Sequence, residues 1–407
     1  MLESDTKRSC RPCEHVPLPL EGLQLNKPIP VNIWEPNGTL LLRKGEVIEG
    51  ERHLQNLMAH SPVITETDYR AWSYSYTTQL DQMVRRNNTL DEIAQAGLPS
   101  EVHSGVERET LEPVTDWPDL HASLTTLLHQ GAQAQDFVTR LTQLEAKAQR
   151  LVAYRPDHAL FMLVTLLQER NLSYCAAHAL LVASVCHLVA PAAGVDEAQQ
   201  PSLFRAAITM NLGMARLQDD LARQSAPLTV EQQREVAEHP QRSVALLRSM
   251  GVGDTLWLHL VAEHHATAAE TGDAEAALAL LRLADVYVAR MTPRGARPAL
   301  PSPPAARGVH LNDKGEPTPL GAAFIRTLGI YPPGSFVRLA NDEVAVVVKR
   351  GRRANTPLVS SIVGRQGMPL GEPAPRDTME RPFEVKAAVP FDEVRVVLNP
   401  VRLLSRT

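Results

Sequence analysis

The sequence predicts a mainly α-helical protein, a helical bundle with small β-rich modules at its two ends. Three observations carry this expectation. Alanine and leucine crowd residues 120–290, whereas aromatics make up only 4% of the chain. Apolar residues recur at three- and four-residue spacing through that stretch, the period of a helix with one buried face. Turn-forming residues and alternating apolar runs are confined to the flanks, where short strands are expected. With 407 residues the chain can fold into two or three domains with a sizeable core.

Residues 1–16 are polar, carry Cys10 and Cys13, and are expected to be disordered. Residues 17–69 read as a small β-rich module. Pro30–Trp34 and Thr39–Leu42 flank the turn tetrapeptide Glu35–Gly38. A short helix over Glu51–Ala59 and a strand at Pro62–Thr65 follow. Residues 70–116 form a polar linker with a helix near Ser73–Arg86.

The helical domain spans residues 117–292. Leu120–Leu128, Asp136–Val152 and Asp157–Arg170 are its first helices, and the third starts behind Pro156. The next helix carries His178 in line with Val182, Val185 and Val189, so the imidazole faces the core. Thr229 and Gln232 form a capping box at the start of a helix running to Glu238. Pro240 is expected to open another helix through Met250, and Asp254–His265 and Ala274–Arg290 complete the set. Residues 293–319, rich in Pro and Arg, read as a linker. A short helix, Leu320–Leu328, then leads into a C-terminal β unit over residues 320–407. Its strands are a hairpin over Phe336–Val348 turning at Asn341–Asp342, then Val385–Val389 and Val394–Leu403.

A net charge of −5 supplies no basic field for nucleic acid. The apolar run Cys175–Ala193 contains His178 and His187 and ends near Pro191, which marks a core helix rather than a membrane span. No apolar segment of signal-peptide type follows Met1, so a cytoplasmic protein is expected. Cys175 and Cys186 share a helix face and read as reduced core thiols, and a lone Cys10–Cys13 pair is too little for structural zinc.

Chemistry-bearing residues stand on four helical segments: His178; Glu238-His239-Pro240; Glu263-His264-His265; and Asp285 within Leu283–Tyr287. Together with Leu228–Glu231 and the Tyr331–Leu339 run, these segments resemble the HD-GYP family of cyclic-di-GMP phosphodiesterases over roughly residues 157–348. The run Gly38–Gly45 resembles the small module that often precedes such a domain. The resemblance implies His178, His239, His264, His265 and Asp285 as metal ligands. It implies an iron, manganese or similar divalent ion as cofactor, and Arg294 and Arg297 as grips for the phosphates of cyclic di-GMP. His187 and His259 lack such company and read as packing residues.

The departures bear on catalysis. Met210 and Asn211 replace the family's central His-Asp pair, Met214 replaces a lysine, Tyr174 a carboxylate and Ala266 an acid. The Gly-Tyr-Pro loop is absent from Thr267–Ala279. Methionine and asparagine are poor donors for a hard divalent ion. Three functions remain open at this point. The first is a degenerate signalling protein that binds cyclic di-GMP or a partner protein without hydrolysis, holding at most one ion. The second is an active phosphodiesterase with an altered metal site, and the third a purely structural interaction module. The sequence leaves self-association undecided.

Overall fold

The computed structural model describes residues 111–265, 275–292, 299–311 and 315–405. Upstream it describes 15–18, 25–26, 29, 31–36, 39–43, 45–66, 68–69, 72–73, 83 and 89. The chain divides into two compact units, Met1–Thr110 and Leu111–Thr407.

In the first unit β1 (His15–Pro17), β2 (Ile33–Trp34), β3 (Leu40–Leu42) and β4 (Val63–Thr65) form one antiparallel sheet in the order β1-β4-β2-β3. Helix α1 occupies Gly50–Ala59, and Ile33, Ile48 and Ile64 form the centre of a small core. The disorder expected through residue 16 does not extend that far. Val16 is paired with Ile64, because an apolar residue that alternates into a sheet gains a ladder and a buried face. Residues 1–14, most of 70–110 and nearly all of the helix expected at Ser73–Arg86 lie outside the described residues.

The second unit opens with α2 (Pro113–Gln130), α3 (Phe137–Tyr154) and α4 (Pro156–Gln168), each on the expected apolar spacing. They surround α5 (Tyr174–Val189), a helix apolar on every side and buried along almost its whole length. Such a helix is stable in water only when neighbours cover every face. Ser173 caps its start by accepting from the Ala176 amide, and Asp219 accepts from the Cys175 amide at 2.8 Å. Cys175 and Cys186 are free and buried, as expected.

Helix α6 (Gln200–Thr209) ends at Met210, a 3-10 turn covers Leu212–Met214, and α7 (Ala215–Arg223) follows. The expected break at Pro240 does not occur. Helix α8 runs unbroken from Val230 to Ser249 with Pro240 inside it, and the capping box of Thr229 and Gln232 starts it with both bonds formed. Proline in a helix interior has no amide to give the carbonyl four residues back, here Val236. That carbonyl is taken by the His239 ring instead, at 2.5 Å, so it is not left unsatisfied. Helices α9 (Thr255–Glu263) and α10 (Glu275–Met291) close the bundle.

Within the stretch read as linker, Ser302–His310 form α11, started by prolines in its first turn, where no amide is needed. Helix α12 (Pro319–Leu328) leads into a five-stranded antiparallel sheet ordered β8-β7-β6-β5-β9. These strands are β5 (Phe336–Leu339), β6 (Val344–Lys349), β7 (Leu358–Val363), β8 (Pro369–Asp377) and β9 (Val385–Val389). The strand expected at Val394–Leu403 is absent. Residues 394–399 alternate inward and outward without a partner strand, and Asn399 then caps α13 (Pro400–Leu404) by accepting from the Arg402 amide. The period of a strand is present there, but an Asn-Pro helix start overrides it.

Gly213 fixes how closely the α6–α7 corner meets α8. A Cβ there would lie 2.7 Å from the His239 carbonyl oxygen and 2.8 Å from the Ser243 amide nitrogen, both backbone atoms. Gly213→Ala is therefore expected to cost roughly 1–3 kcal/mol in chemical denaturation. Gly253→Ala, where a Cβ meets nothing within 4 Å, serves as the control and should change stability far less.

Candidate metal centre

The site is assembled by α5, α8, α9 and α10, and of its imidazoles those of His178, His239 and His264 are buried while His265 is exposed. His178, on α5, is fully buried. Its Nδ1 meets the Tyr174 hydroxyl one turn earlier at 3.1 Å, and its Nε2 meets Asp285 Oδ1 on α10 at 2.8 Å. A carboxylate only accepts, so Nε2 carries a proton and donates it to Asp285, leaving Nδ1 to accept from Tyr174 when the ring is neutral. Burial pushes the Asp285 carboxyl up, but the bond from His178 and the imidazoles of His178, His264 and His265 outweigh it and hold it at about 2.

His239 on α8 and His264 at the end of α9 are both buried. The Nδ1 of His239 donates to the Val236 carbonyl at 2.5 Å, and the Nδ1 of His264 donates to the Val261 carbonyl at 2.7 Å. Each ring thus spends its proton on its own helix and turns a bare Nε2 inward. The two Nε2 atoms are 3.1 Å apart. Burial depresses the pKa of His239 to about 4 and that of His264 to about 3, so both rings are neutral at physiological pH. Two lone pairs face each other, and a hydrogen bond between them would require one ring to abandon its carbonyl. A cation satisfies both at once.

The separation fits that reading. Two imidazole nitrogens held about 2.1 Å from one ion stand roughly 3.0–3.4 Å apart at angles between square and tetrahedral. A ligating histidine typically donates its other ring nitrogen to a carbonyl or carboxylate, as both do here. The exposed His265 completes a trio, whose ligand atoms all lie within 4.8 Å of one another. Its ring centroid is 4.1 Å from that of His264 and 5.1 Å from that of His239.

Other residues set the trio's backbone. Arg282 on α10 reaches the Glu263 carbonyl with Nη2 at 2.7 Å and Nε at 3.2 Å, fixing the end of α9 just before His264. Ser243, one turn after His239, donates to the Met210 and His239 carbonyls, each at 2.8 Å, and accepts from the Gly213 amide at 2.8 Å. Its single proton is shared between the two carbonyls. Arg282 and Ser243 were not expected from the sequence. Ser243 lies four residues after His239, the spacing of one helical turn, but that signal is legible only once α8 is known to continue through Pro240.

Of the residues singled out in the sequence, His178, His239, His264, His265 and Asp285 come together around this centre. Met210 and Asn211 are buried at the α6 corner against α8, and Met214 is half-buried at the start of α7. Tyr174 is the hydrogen-bond partner of His178. Ala266, Arg294 and Arg297 lie outside the described residues. His187 packs edge-on against Phe204, with centroids 6.0 Å apart.

No protein-family model matches the chain. No curated protein matches it either. Among solved structures it is similar to a HDG"Y"P protein from Bdellovibrio bacteriovorus, at 16% sequence identity, over 76% of this chain and 98% of that one, with a TM-score of 0.42. At that level of likeness the reading of the centre rests on its own side chains.

The depressed imidazoles have a consequence for stability. In the unfolded chain each histidine takes up a proton near its ordinary value of about 6.5. In the fold, His239 resists until about 4 and His264 until about 3. Between these limits the unfolded state binds more protons, so stability falls as pH falls. Thermal melts of chelator-treated protein from pH 7 to pH 4 should show a declining Tm, with a shallower decline in the His239→Gln/His264→Gln variant.

Proposed function

We propose that this chain is a degenerate HD-type signalling protein that holds one divalent ion on His239, His264 and His265 and binds a phosphodiester ligand without hydrolysing it. The observation that carries the reading is the division of the centre into two unlike halves. His239, His264 and His265 offer bare nitrogens, whereas His178 is bonded to Asp285 at 2.8 Å. The α6 corner against α8 carries Met210 and Asn211, a thioether and a neutral amide, which supply no charge to bridge two ions.

When bound, a divalent ion in such a place would polarise phosphate oxygens. The chain's own residues do the rest. His239 and His264 are held by carbonyl bonds in the tautomer that ligates, and Arg282 keeps the end of α9 in register. Asp285 is a half-buried anion beside the imidazoles and would offset part of an ion's charge. Three imidazole side chains suit late first-row divalent ions. Neither a thioether nor a neutral amide can take a proton from an attacking water near neutral pH.

Cyclic di-GMP or a partner protein is the ligand class this reading favours. Arginine suits phosphate because its planar fork donates paired, charge-assisted hydrogen bonds. Arg294 and Arg297 follow Asp285 closely in sequence and carry that role in the proposal. An arginine–phosphate bond contributes roughly 1.5–3 kcal/mol. Losing both should weaken binding by about two orders of magnitude.

Three measurements test this. Elemental analysis of untagged protein should find about one ion per chain at most, lost in His264→Ala. Incubation of the metal-loaded protein with cyclic di-GMP should yield no linear dinucleotide; turnover that disappears in His264→Ala would overturn the non-hydrolytic reading. Calorimetry should show cyclic di-GMP binding that collapses in Arg294→Ala/Arg297→Ala. An absence of heat with the wild-type protein would leave a partner protein as the ligand.

A further inference from the structure

The C-terminal sheet contains a second concave site, remote in sequence from the imidazole trio and independent of its reading. One cross-strand row runs through Arg338 on β5, Val344 on β6, Val363 on β7 and Pro369 on β8, each paired with the next. A cavity of about 630 Å³ lies along this row. Glu393, the last residue of a 3-10 turn after β9, and Val394–Val396 also line it. That volume falls within the usual size of small-molecule sites, about 300–1,000 Å³.

Three arginines are among the residues that line the cavity, and they come from three separate segments. Arg338 is on the interior strand β5, Arg365 on the β7–β8 turn, and Arg395 on the segment after β9. The turn is held shut by the Gly364 amide donating to the Met368 carbonyl at 2.8 Å and the Gly367 amide to the Gly364 carbonyl at 2.9 Å, which fixes the place of Arg365.

None of the three arginines is ion-paired within the described residues, although neighbouring arginines are. Arg376 holds Glu343 at 3.0 Å, and Arg350 holds Asp157. Of the two acids in the cavity wall, Asp342 is engaged by Lys386 at 3.1 Å, and Glu393 is the other. Arg338 is half-buried on the same strand face as Phe336, which belongs to the main core. Half-burying a charge that no ion pair holds is costly, and a bound anion would offset that cost for Arg338.

We propose that this cavity binds a small organic phosphate. Three arginines from three segments of the lining offer donors for the several oxygens of a phosphate, whereas a single arginine can satisfy one planar carboxylate. Val344, Val363, Val389 and Val394 give the cavity apolar walls for the organic portion. Glu393 sits at the rim as an acceptor for a hydroxyl or amine of that portion.

The test uses the full chain with chelator present and phenyl phosphate as the probe, with inorganic phosphate and phenol as comparisons. Calorimetry should show phenyl phosphate binding at least ten-fold tighter than either comparison. Binding should weaken ten-fold or more in Arg338→Gln and again in Arg365→Ala/Arg395→Ala. The second variant changes only exposed positions, so it decides the matter if the strand substitution impairs folding. His264→Ala should leave the affinity unchanged. No binding of phenyl phosphate at millimolar concentration, equal affinity in the double arginine variant, or loss of binding in His264→Ala would each overturn the proposal.

Discussion

The fold depends on covering α5. Its residues from Tyr174 to Val189 are buried almost without exception, so the helix has no face to give to water. Helices from before it and after it in the chain must therefore pack around it, and the bundle follows from that demand. The same demand places an imidazole, His178, where water cannot solvate it. The carboxylate of Asp285 is drawn to it across the bundle, since a buried polar group is stable only when partnered. One burial requirement thus sets both the packing and the polar centre.

The second constraint is local and concerns protons. A histidine used as a ligand must present a lone pair, and a helix interior normally has no spare carbonyl with which to fix the ring. Pro240 creates one by withholding its amide from Val236, and His239 takes it. His264 finds its carbonyl differently, at the C-terminal end of α9, where the last turn leaves acceptors unpaired. Two unrelated defects in helix hydrogen bonding therefore yield the same tautomer on two rings that face each other.

Much of this could be read from the residues. The helical spacings, the Thr229–Gln232 capping box, the β5–β6 hairpin and the placement of the five centre residues follow from periodicity, turn chemistry and the family resemblance. The failures are instructive. Pro240 was read by propensity as a helix start, but tertiary packing carried the helix through it. Residues 394–399 have a strand's alternation but pair with no strand. The Pro-rich stretch hid α11 because prolines in a first turn look the same as prolines in a linker. Arg282 and Ser243 act on backbone carbonyls, and a sequence carries no mark of which carbonyl a side chain will reach.

The grip of Arg282 on Glu263 has a further consequence for how this centre tolerates change. It ties the end of α9 directly to the middle of α10, so the chain joining the two helices begins and ends at posts fixed by other bonds. Lengthening a connection between fixed posts adds only about 0.6 kcal/mol for each doubling. The place of the imidazole pair is thus set by bonds between α9 and α10 and not by the length of the chain that joins them.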